Sequence, residues 1–388
     1  MRTQVGIVGA GPAGLVLSHL LALEGIESVV LELRDRAYVE RRVRAGVLEQ
    51  GTVDLLCETG VGERLKREGQ VHRGINLQFE GERHRIDLAE LTGGRTITVY
   101  GQQEVVKDLI KARLDAGGQV LFEAGAEAVL DADSPRPRVR FRRGGAAEEL
   151  QCDFVAGCDG SHGVCRDAIP SGLLTRLHKD YGLAWLGILA HAPPATDELI
   201  YSNNPRGFAL HSMRSPEISR LYLQVRPDEE LGAWPDDLVW DELERRLAFP
   251  GWSLNRGPVL EKSITTMRSE LVEPMQYGRL YLCGDAAHIV PATGAKGLNL
   301  AVADARLLAE AIVEWYRSGR TALLESYSAR CLRRVWRVEH FSWWMTAMLH
   351  RFESHDEFER RLQLAQLRYV CSSRAAATSL AENYVGMA

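Results

Sequence analysis

The chain opens with a glycine-rich turn in a setting that admits very few folds. The apolar run 5–8 leads into Gly9-Ala10-Gly11-Pro12-Ala13-Gly14, and an apolar helical pattern follows. A second apolar run, 28–31, then ends at Glu32. Strand, G-x-G-x-x-G, helix, strand and acid in this order are typical of an α/β unit that binds a dinucleotide. The order predicts such a unit at the start of the chain.

Each glycine of this turn has a physical role. Gly9 permits the tight turn, Gly11 lets the backbone approach a pyrophosphate, and Gly14 lets the helix pack closely on the sheet. The free N–H groups and the positive dipole end of that helix favour phosphate. Glu32, 18 residues after Gly14, is placed to accept hydrogen bonds from a ribose. The alternative is a glycine-rich turn in an ordinary α/β unit.

Bulk properties exclude several classes of function. At 388 residues the chain is long enough for two or three lobes, and its net charge of -5 gives no basic field for nucleic acid. No apolar run reaches 18 residues, so we expect no membrane span. The seven cysteines are scattered and lack metal-ligand spacing. They predict reduced thiols in a cytoplasmic protein and no metal site.

Two further acids accompany a glycine after buried runs. Asp159-Gly160 follows the run 150–156, and Gly284-Asp285 follows the run 279–283. Ligands of α/β sheets bind at the carboxyl ends of strands, so both turns are candidates for a ligand-facing position. The glycine-rich loop 291–299 then precedes a long helical pattern. We expect the N–H groups of Gly297 and Leu298 to be free to bind negative charge.

The composition changes near residue 175, after which short strand patterns dominate to about 226. Side chains two apart on a strand share a face, so Ser212 and Arg214 point together. Arg220 and Tyr222 share a face of the next strand, across a hairpin turn at 215–217. A guanidinium, a hydroxyl and a phenol on one surface suit a carboxylate. The alternative is an exposed polar sheet face.

Together, the fingerprint with Glu32, Asp159-Gly160 and Gly284-Asp285 resemble the single-component aromatic flavoprotein hydroxylases. The resemblance covers essentially the whole chain. The segments that carry it are 42–51, 98–102, 156–160, 204–210, 284–300, 341–346 and 381–386.

The resemblance implies a fold and an assembly. The expected fold is α/β (α+β overall): a Rossmann-like FAD-binding domain, a β-rich substrate domain and a helical C-terminal region. The expected boundaries are 1–175, with a strand excursion at about 72–100, then 176–270, and a return at 271–388. A homodimer is also implied.

The resemblance implies FAD in the fingerprint site. Glu32 would bind the adenosine ribose, Arg44 and Gln102 would lie along the pyrophosphate and ribityl chain, and Asp285 would lie near the ribityl hydroxyls. The residues that it assigns to FAD are Gly9, Gly11, Pro12, Ala13, Gly14, Glu32, Arg42, Arg44, Val47, Gln102, Asp159, Gly160, Arg220, Asp285, Lys296, Gly297, Leu298 and Asn299.

NADPH or NADH is the implied reductant. The residues that the resemblance places on the nicotinamide nucleotide are Arg34, Tyr38, Arg42, Arg44, His162 and Arg268. Leu33 stands where a basic residue is expected. Because a 2′-phosphate needs nearby cations, this difference leaves the choice between NADPH and NADH open.

For the substrate, the resemblance implies an aromatic acid. Its carboxylate would be bound by Ser212, Arg214 and Tyr222, and its phenol by Tyr201. A proton path would run through Tyr201, Tyr384 and His72. The loop Pro291-Ala292-Thr293 would line the pocket, where Ala292 replaces an expected proline.

The implied reaction is hydroxylation of 4-hydroxybenzoate to 3,4-dihydroxybenzoate with O2, through a C4a-hydroperoxide of the reduced flavin. Related acids such as 4-aminobenzoate or a dihydroxybenzoate are the alternative substrates. A flavin-binding redox sensor without turnover is the alternative from another functional class.

Overall fold

The computed structural model describes residues 1–44 and 46–387. The strands are β1 Val5–Val8, β2 Ser28–Leu31, β3 Val47–Glu49, β4 Gln70–His72, β5 Gly74–Phe79, β6 Glu82–Asp87, β7 Ile97–Val99, β8 Gln119–Leu121, β9 Ala124–Leu130, β10 Arg138–Arg143, β11 Ala146–Gln151, β12 Phe154–Gly157, β13 Thr175–Ala190, β14 Ile200–Ser202, β15 Ala209–Ser215, β16 Ile218–Val225, β17 Val259–Glu273, β18 Gln276–Tyr277, β19 Leu280–Leu282 and β20 His288–Ile289. The helices are α1 Pro12–Leu23, α2 Arg36–Arg41, α3 Gln50–Glu58, α4 Glu63–Glu68, α5 Leu88–Leu91, α6 Gln102–Asp115, α7 Asp236–Leu247, α8 Gly297–Ser318, α9 Ala322–Glu325, α10 Tyr327–Leu349, α11 Glu357–Ser372 and α12 Arg374–Val385.

A six-stranded sheet holds the opening motif. Its order is β18-β19-β12-β1-β2-β8, and the five strands from β19 to β8 run parallel. Every residue of β1 and β12 is buried, as expected for strands covered on both faces. Helices α1 and α8 pack against each other beside this sheet. The predicted α/β unit is therefore present, and the carboxyl ends of β1, β12 and β19 meet at one edge.

An eight-stranded sheet forms the second layer. Its order is β20-β17-β13-β16-β15-β14-β5-β6. Strands β5 and β6, from residues 74–87, pair next to β14 and so belong to this sheet although they come early in the chain. The hairpin predicted at 215–217 joins β15 to β16, where Ser212 pairs with Arg220. Two three-stranded sheets, β3-β7-β4 and β11-β10-β9, complete the strands.

The C-terminal helices pack against the eight-stranded sheet. Phe341 and Met345 of α10 and Tyr384 of α12 are buried in one cluster with Leu77 and Leu210 of the sheet. Trp343, on the same stretch of α10, is 42% exposed. The aromatic segment 341–345 is therefore core on one face and surface on the other. No helix in the described part of the chain is long and apolar enough to cross a membrane.

Close packing between β1, the glycine turn and α1 depends on Gly14. A Cβ atom at Gly14 would lie 2.1 Å from the carbonyl oxygen of Gly9, far inside van der Waals contact. Gly9 itself has φ of +104°, and a Cβ there would lie 2.3 Å from the Cys158 carbonyl oxygen. The turn therefore lies directly on the end of β12, with no room for a side chain at Gly9 or Gly14.

We expect Gly14→Ala to destabilise the protein by about 1–3 kcal/mol, because backbone must shift to admit the methyl group. Thermal unfolding followed by circular dichroism measures the effect. The matched control is Gly51→Ala, at an exposed helical position where a Cβ meets nothing within 4 Å. That change should be neutral or slightly stabilising, because alanine favours a helix more than glycine does. Equal melting temperatures for the two variants would contradict the packing argument.

Candidate active site

The start of α1 is an open helix end. Its N-cap, Gly11, is extended, and no side chain caps the free N–H groups of the first turn. A Cβ at Gly11 would meet nothing within 4 Å. Pro12 occupies the first helical position, and Ala13 behind it is buried. The open space and the uncapped helix start fit the pyrophosphate of a dinucleotide.

Glu32 lies at the end of β2, directly beside this turn. Its two carboxylate oxygens accept hydrogen bonds from the N–H groups of Ala10, at 2.8 Å, and Arg34, at 2.9 Å. A carboxylate has about four lone-pair sites, so about two remain for a ribose hydroxyl. The backbone bonds fix the orientation of Glu32 before any ligand binds.

The start of α8 forms a second open helix end. A Cβ at Gly297 would meet nothing within 4 Å, and the first turn has neither a side-chain cap nor an acidic residue. Leu298 follows and is buried. Asp285 lies exposed in the turn after β19, where its carbonyl accepts a hydrogen bond from Arg166. The uncapped start of this 22-residue helix favours a ligand group that carries negative charge.

Asp159 has a structural task that the sequence did not reveal. Its carboxylate accepts a hydrogen bond from the Cys165 N–H at 2.9 Å and so closes the turn that contains Gly160. Gly160 has φ of +74°. Burial raises the pKa of Asp159, although hydrogen bonds from the turn oppose the shift. The second carboxylate oxygen is buried without a partner among the described residues.

A buried polar cluster connects β3 to the start of α8. The Asn299 amide donates to the carbonyls of Val47 and Ala295 and accepts from the Glu49 N–H and the Thr52 hydroxyl. All of these distances lie between 2.9 and 3.1 Å. The side chain of Asn299 is therefore fully used within the protein. Any contact from Asn299 to a cofactor must come from its backbone.

Lys296 likewise points into the protein. Its ammonium donates to Glu49 at 2.7 Å and to the Tyr384 carbonyl at 2.8 Å. Arg334 of α10 reaches the other oxygen of Glu49, also at 2.7 Å. Glu49 is the residue of this cluster that sequence reasoning missed. Its only signal was an acid at the end of an otherwise apolar run.

Two guanidinium groups and a phenol form an unpaired cationic surface on β15 and β16. Arg220 is 6% exposed, its Nε donates to the Tyr222 hydroxyl at 3.2 Å, and its Nη1 has no partner. The Nε of Arg214 is also buried without a partner, while its Nη1 donates to the Met213 carbonyl at 2.8 Å. No carboxylate in the described ranges pairs with either group. The arrangement fits an anionic ligand.

The cations act on their neighbours. Burial raises the pKa of Tyr222, but Arg220 and Arg214 outweigh burial and lower it overall. Ser212 donates its hydroxyl to the Arg220 carbonyl at 2.6 Å across the hairpin. The Ser212 proton must therefore turn away from this carbonyl if it is to reach a ligand. His211, next in the chain, faces the opposite side of the strand and accepts from the Ala195 N–H.

Two tyrosines meet at the junction of the sheet and α12. The hydroxyls of Tyr201 and Tyr384 are hydrogen-bonded to each other, and Tyr201 also contacts the Thr293 carbonyl at 3.4 Å. Burial raises the pKa of both tyrosines. His72 is buried at the end of β4, where burial lowers its pKa to about 4. Neither of its ring nitrogens has a partner in the part of the chain that is described, so His72 is not bonded directly to Tyr384.

The residues expected on a nicotinamide nucleotide come from three parts of the chain, namely the surroundings of α2, the turn after β12 and strand β17. Arg34 stacks over the Tyr38 ring at 5.2 Å. Arg42, Arg44 and His162 are exposed. Arg268 is paired with Glu270 at 2.7 Å, so its charge is already balanced.

The other residues predicted to bind FAD or the substrate lie on β3, on α6 and in the loop before α8. Val47 is buried in β3, and Gln102 begins α6. Pro291 is buried at the start of the loop before α8, and Ala292 is exposed.

Comparison with known proteins accounts for this combination of sites. Residues 2–342 match the family model described as the FAD binding domain. The p-hydroxybenzoate hydroxylase of Acinetobacter baylyi is 49% identical over 388 residues, which span all of this chain and 96% of that protein. The 6-methylpretetramide 4-monooxygenase of Streptomyces rimosus is 27% identical over 345 residues, 84% of this chain and 58% of that protein.

A solved structure gives the same result for the fold. The p-nitrophenol 4-monooxygenase of Pseudomonas putida superposes with a TM-score of 0.86 at 19% identity, over all of this chain and 99% of that one. The two helix ends, the fixed carboxylate of Glu32 and the family match all fit a dinucleotide. The chain belongs to the FAD-binding-domain family of flavoprotein monooxygenases, in the group that includes p-hydroxybenzoate hydroxylase.

Proposed function

We propose that this protein is an FAD-dependent monooxygenase that hydroxylates 4-hydroxybenzoate at the 3-position to give 3,4-dihydroxybenzoate, using NADPH or NADH and O2. The observation that carries the substrate assignment is the unpaired cationic surface of Arg214, Arg220 and Tyr222, together with the hydrogen-bonded pair Tyr201–Tyr384. Buried cations without counter-charges are costly, so an anionic partner is expected to complete them.

The protein groups that would hold FAD are distributed over two helix ends. The uncapped start of α1 would bind the pyrophosphate, and Glu32 would accept from the ribose. Asp285 and the start of α8 at Gly297 would contact the distal half, where the helix dipole favours negative charge. The bound flavin supplies electron transfer from the nicotinamide nucleotide and the activation of O2. The protein contributes position, charge and exclusion of water.

Arg214 would bind the substrate carboxylate through its guanidinium fork, with the Tyr222 hydroxyl as a neutral partner. A charge-assisted, two-point contact of this kind strengthens binding of the substrate and also fixes the orientation of its aromatic ring. Ser212 would contribute once its hydroxyl turns from the Arg220 carbonyl. Arg220, whose Nη1 is unpartnered, would face the flavin side of the same surface.

At the other end of the ring, Tyr201 would accept or donate at the substrate phenol. A phenolate is more electron-rich than a phenol, so removal of this proton activates the ring toward an electrophilic oxygen. Because burial raises the pKa of Tyr201 and Tyr384, both stay neutral and act as relays. His72, with two unpartnered ring nitrogens, would receive the proton through water.

Two alternatives remain distinct. The same chemistry on 4-aminobenzoate or a dihydroxybenzoate would use the same carboxylate site. A flavin-binding redox sensor would need neither the buried tyrosine pair nor an unpaired cationic surface, and these features favour an enzyme.

Because nicotinamide nucleotides are cytoplasmic co-substrates, we also propose that the protein works in the cytoplasm.

The direct test is oxidation of NADH and NADPH by the holoenzyme, with and without 4-hydroxybenzoate, followed by product analysis. We expect strong stimulation by the acid and formation of 3,4-dihydroxybenzoate. The rates with NADH and NADPH show which nucleotide the protein prefers when Leu33 stands in place of a basic residue. Stimulation that yields only H2O2 would mean that the acid binds without being the substrate, and 4-aminobenzoate and dihydroxybenzoates are then tested in its place. No stimulation by any of these acids would overturn the proposal.

Tyr201→Phe tests the proton path. The variant keeps the buried ring but removes the hydroxyl that bonds to Tyr384. We expect hydroxylation to fall by about a hundredfold, the usual contribution of positioned proton transfer, while FAD and 4-hydroxybenzoate still bind. Tyr369→Phe, at a tyrosine that is 60% exposed, is the control and should not change the rate. Unchanged hydroxylation by Tyr201→Phe would remove Tyr201 from the mechanism.

We propose a homodimer whose interface includes the outer face of α10. Trp336 and Trp343, seven residues apart on this helix, are 48% and 42% exposed. Between them and β13 lies a largely apolar cavity of about 410 Å³, whose wall includes Leu177 and Tyr181. Exposed tryptophans beside an apolar cavity are typical of a surface that another protein covers.

Light scattering after size exclusion measures the assembly. We expect a mass of twice 43.2 kDa for the wild type and a shift toward 43.2 kDa when Trp336→Glu and Trp343→Glu are combined. Phe358→Glu, which changes a side chain that is 69% exposed on α11, is the matched control. A wild-type monomer would contradict the dimer, and a variant that stays dimeric would place the interface elsewhere.

A further inference from the structure

Thr346 near the end of α10 and His350 directly after it hydrogen-bond to residues that contact the two ends of the proposed substrate pocket, although neither belongs to the carboxylate site or to the tyrosine pair. We propose that His350 and Thr346 are positioning residues that fix the carboxylate-binding end and the phenol-binding end relative to each other. They thereby favour aromatic acids of one length. This inference rests on the proposed function, because it assumes that the carboxylate binds near Tyr222 and the phenol near Tyr201.

The first connection runs from His350 to Tyr222. The Trp185 indole N–H donates to His350 Nε2 at 2.7 Å. Because an indole nitrogen only donates, Nε2 must be the acceptor, and Nδ1 then carries the proton and donates to the Thr346 carbonyl at 3.0 Å. His350 is fully buried, and burial lowers its pKa to about 3. One neutral tautomer is therefore fixed by its partners.

Trp185 carries this constraint to the carboxylate end. The centroid of its ring lies 4.8 Å from that of Tyr222, and the ring also stacks on Phe208 at 5.2 Å. The His350 ring also lies 4.3 Å from Phe208. Trp185 is buried, so loss of its hydrogen bond would leave an unsatisfied donor. The position of Tyr222 thus depends on an acceptor that follows directly on α10.

The second connection runs from Thr346 to Tyr201. The Thr346 hydroxyl donates to the Ser342 carbonyl at 2.7 Å, so the 2.9 Å contact between the two threonine hydroxyls is donated by Thr293. The carbonyl of the same Thr293 accepts from the Tyr201 hydroxyl at 3.4 Å. Thr293 and Thr346 are both completely buried. A side-chain bond on α10 therefore holds the loop that contacts the phenol-binding tyrosine.

The helix end itself is fixed by further polar contacts. Gln363 of α11 donates to the carbonyls of Ala347 and His350, both at 2.7 Å. Asn203, which follows β14, donates to the Leu349 carbonyl at 3.1 Å. These bonds satisfy carbonyls that a helix C-terminus otherwise leaves free. The two connections consequently start from one rigid element, which gives the pocket a defined length.

Paired variants at His350 test the first connection. His350→Phe keeps a buried ring but removes the acceptor, whereas His350→Gln retains an amide oxygen near the position of Nε2. Calorimetric titration of the holoenzyme measures dissociation constants for 4-hydroxybenzoate and for phenol, which lacks the carboxylate. We expect His350→Phe to weaken binding of the acid about tenfold, the loss that follows when a buried donor is left unsatisfied, and to leave phenol unchanged. His350→Gln should recover most of the affinity. His191→Phe, at an exposed histidine, is the control.

Thr346→Val tests the second connection. We expect it to leave the dissociation constant of benzoate, which lacks the phenol, unchanged. It should shift the pH at which bound 4-hydroxybenzoate ionises, which is followed by the ultraviolet absorbance of the phenolate. A double-mutant cycle of His350→Phe with Tyr222→Phe should be non-additive for the acid, because His350 is expected to act through Tyr222.

These outcomes separate positioning from general stability. If His350→Phe lowers the melting temperature but weakens the acid and phenol equally, or if the cycle is additive, the positioning role is wrong. If Thr346→Val leaves the ionisation of the bound phenol unchanged, the second connection is wrong. Binding constants need no turnover. A wild type that binds these ligands without hydroxylating them would therefore overturn the proposed function while leaving the positioning test valid.

Discussion

The buried ion pair between Glu49 and Lys296 determines how the separate parts of this protein meet. Each side chain is less than 5% exposed, and the charges lie 2.7 Å apart. Ions so far from water are tolerated only with close partners, and removal of one partner leaves the other charge uncompensated. Arg334 and the Tyr384 carbonyl complete the cluster. The polar contacts of Glu49 and Lys296 therefore join β3, α8, α10 and α12. Moving any of these elements away would leave a buried charge without its partner.

The cluster around Glu49 and the proposed carboxylate site differ in how their charges are paired. Around Glu49 every charged group lies beside an opposite charge, whereas no carboxylate of the described residues pairs with Arg214 or Arg220, and each of these two guanidinium groups has a nitrogen without a partner. Glu49 thus serves the structure, and positive charge is left unbalanced where an anionic substrate is proposed to bind. The same cluster fixes the start of α8 relative to β3 through Asn299. The helix end that favours negative charge is consequently rigid before a ligand arrives.

Sequence reasoning succeeded where the information is local. The glycine turn, β1, α1 and β2 follow from spacing alone, and the hairpin after Arg214 follows from period-two alternation and a turn-forming proline. It failed where partners are distant. Glu49 and Lys296 are 247 positions apart, so no local pattern shows that these two residues pair with each other. The place of β5 and β6 in the later sheet depends on distant partners as well. Asn76 of β5 bonds to Leu199, just before β14, which lies 123 positions further along the chain.

The tyrosine pair shows why local chemistry also needs the fold. Two phenols with raised pKa values are poor bases, and His72 of the proposed proton path is neutral because burial lowers its pKa to about 4. Because the two tyrosines and His72 are all neutral, none of them competes with the substrate carboxylate for the positive charges of Arg214 and Arg220. In the proposed path each hydroxyl would give one proton as it takes another, so a proton would move without a stable ion beside the flavin. We therefore propose that the route serves proton transfer rather than proton storage, with the substrate phenol at one end and solvent beyond His72 at the other.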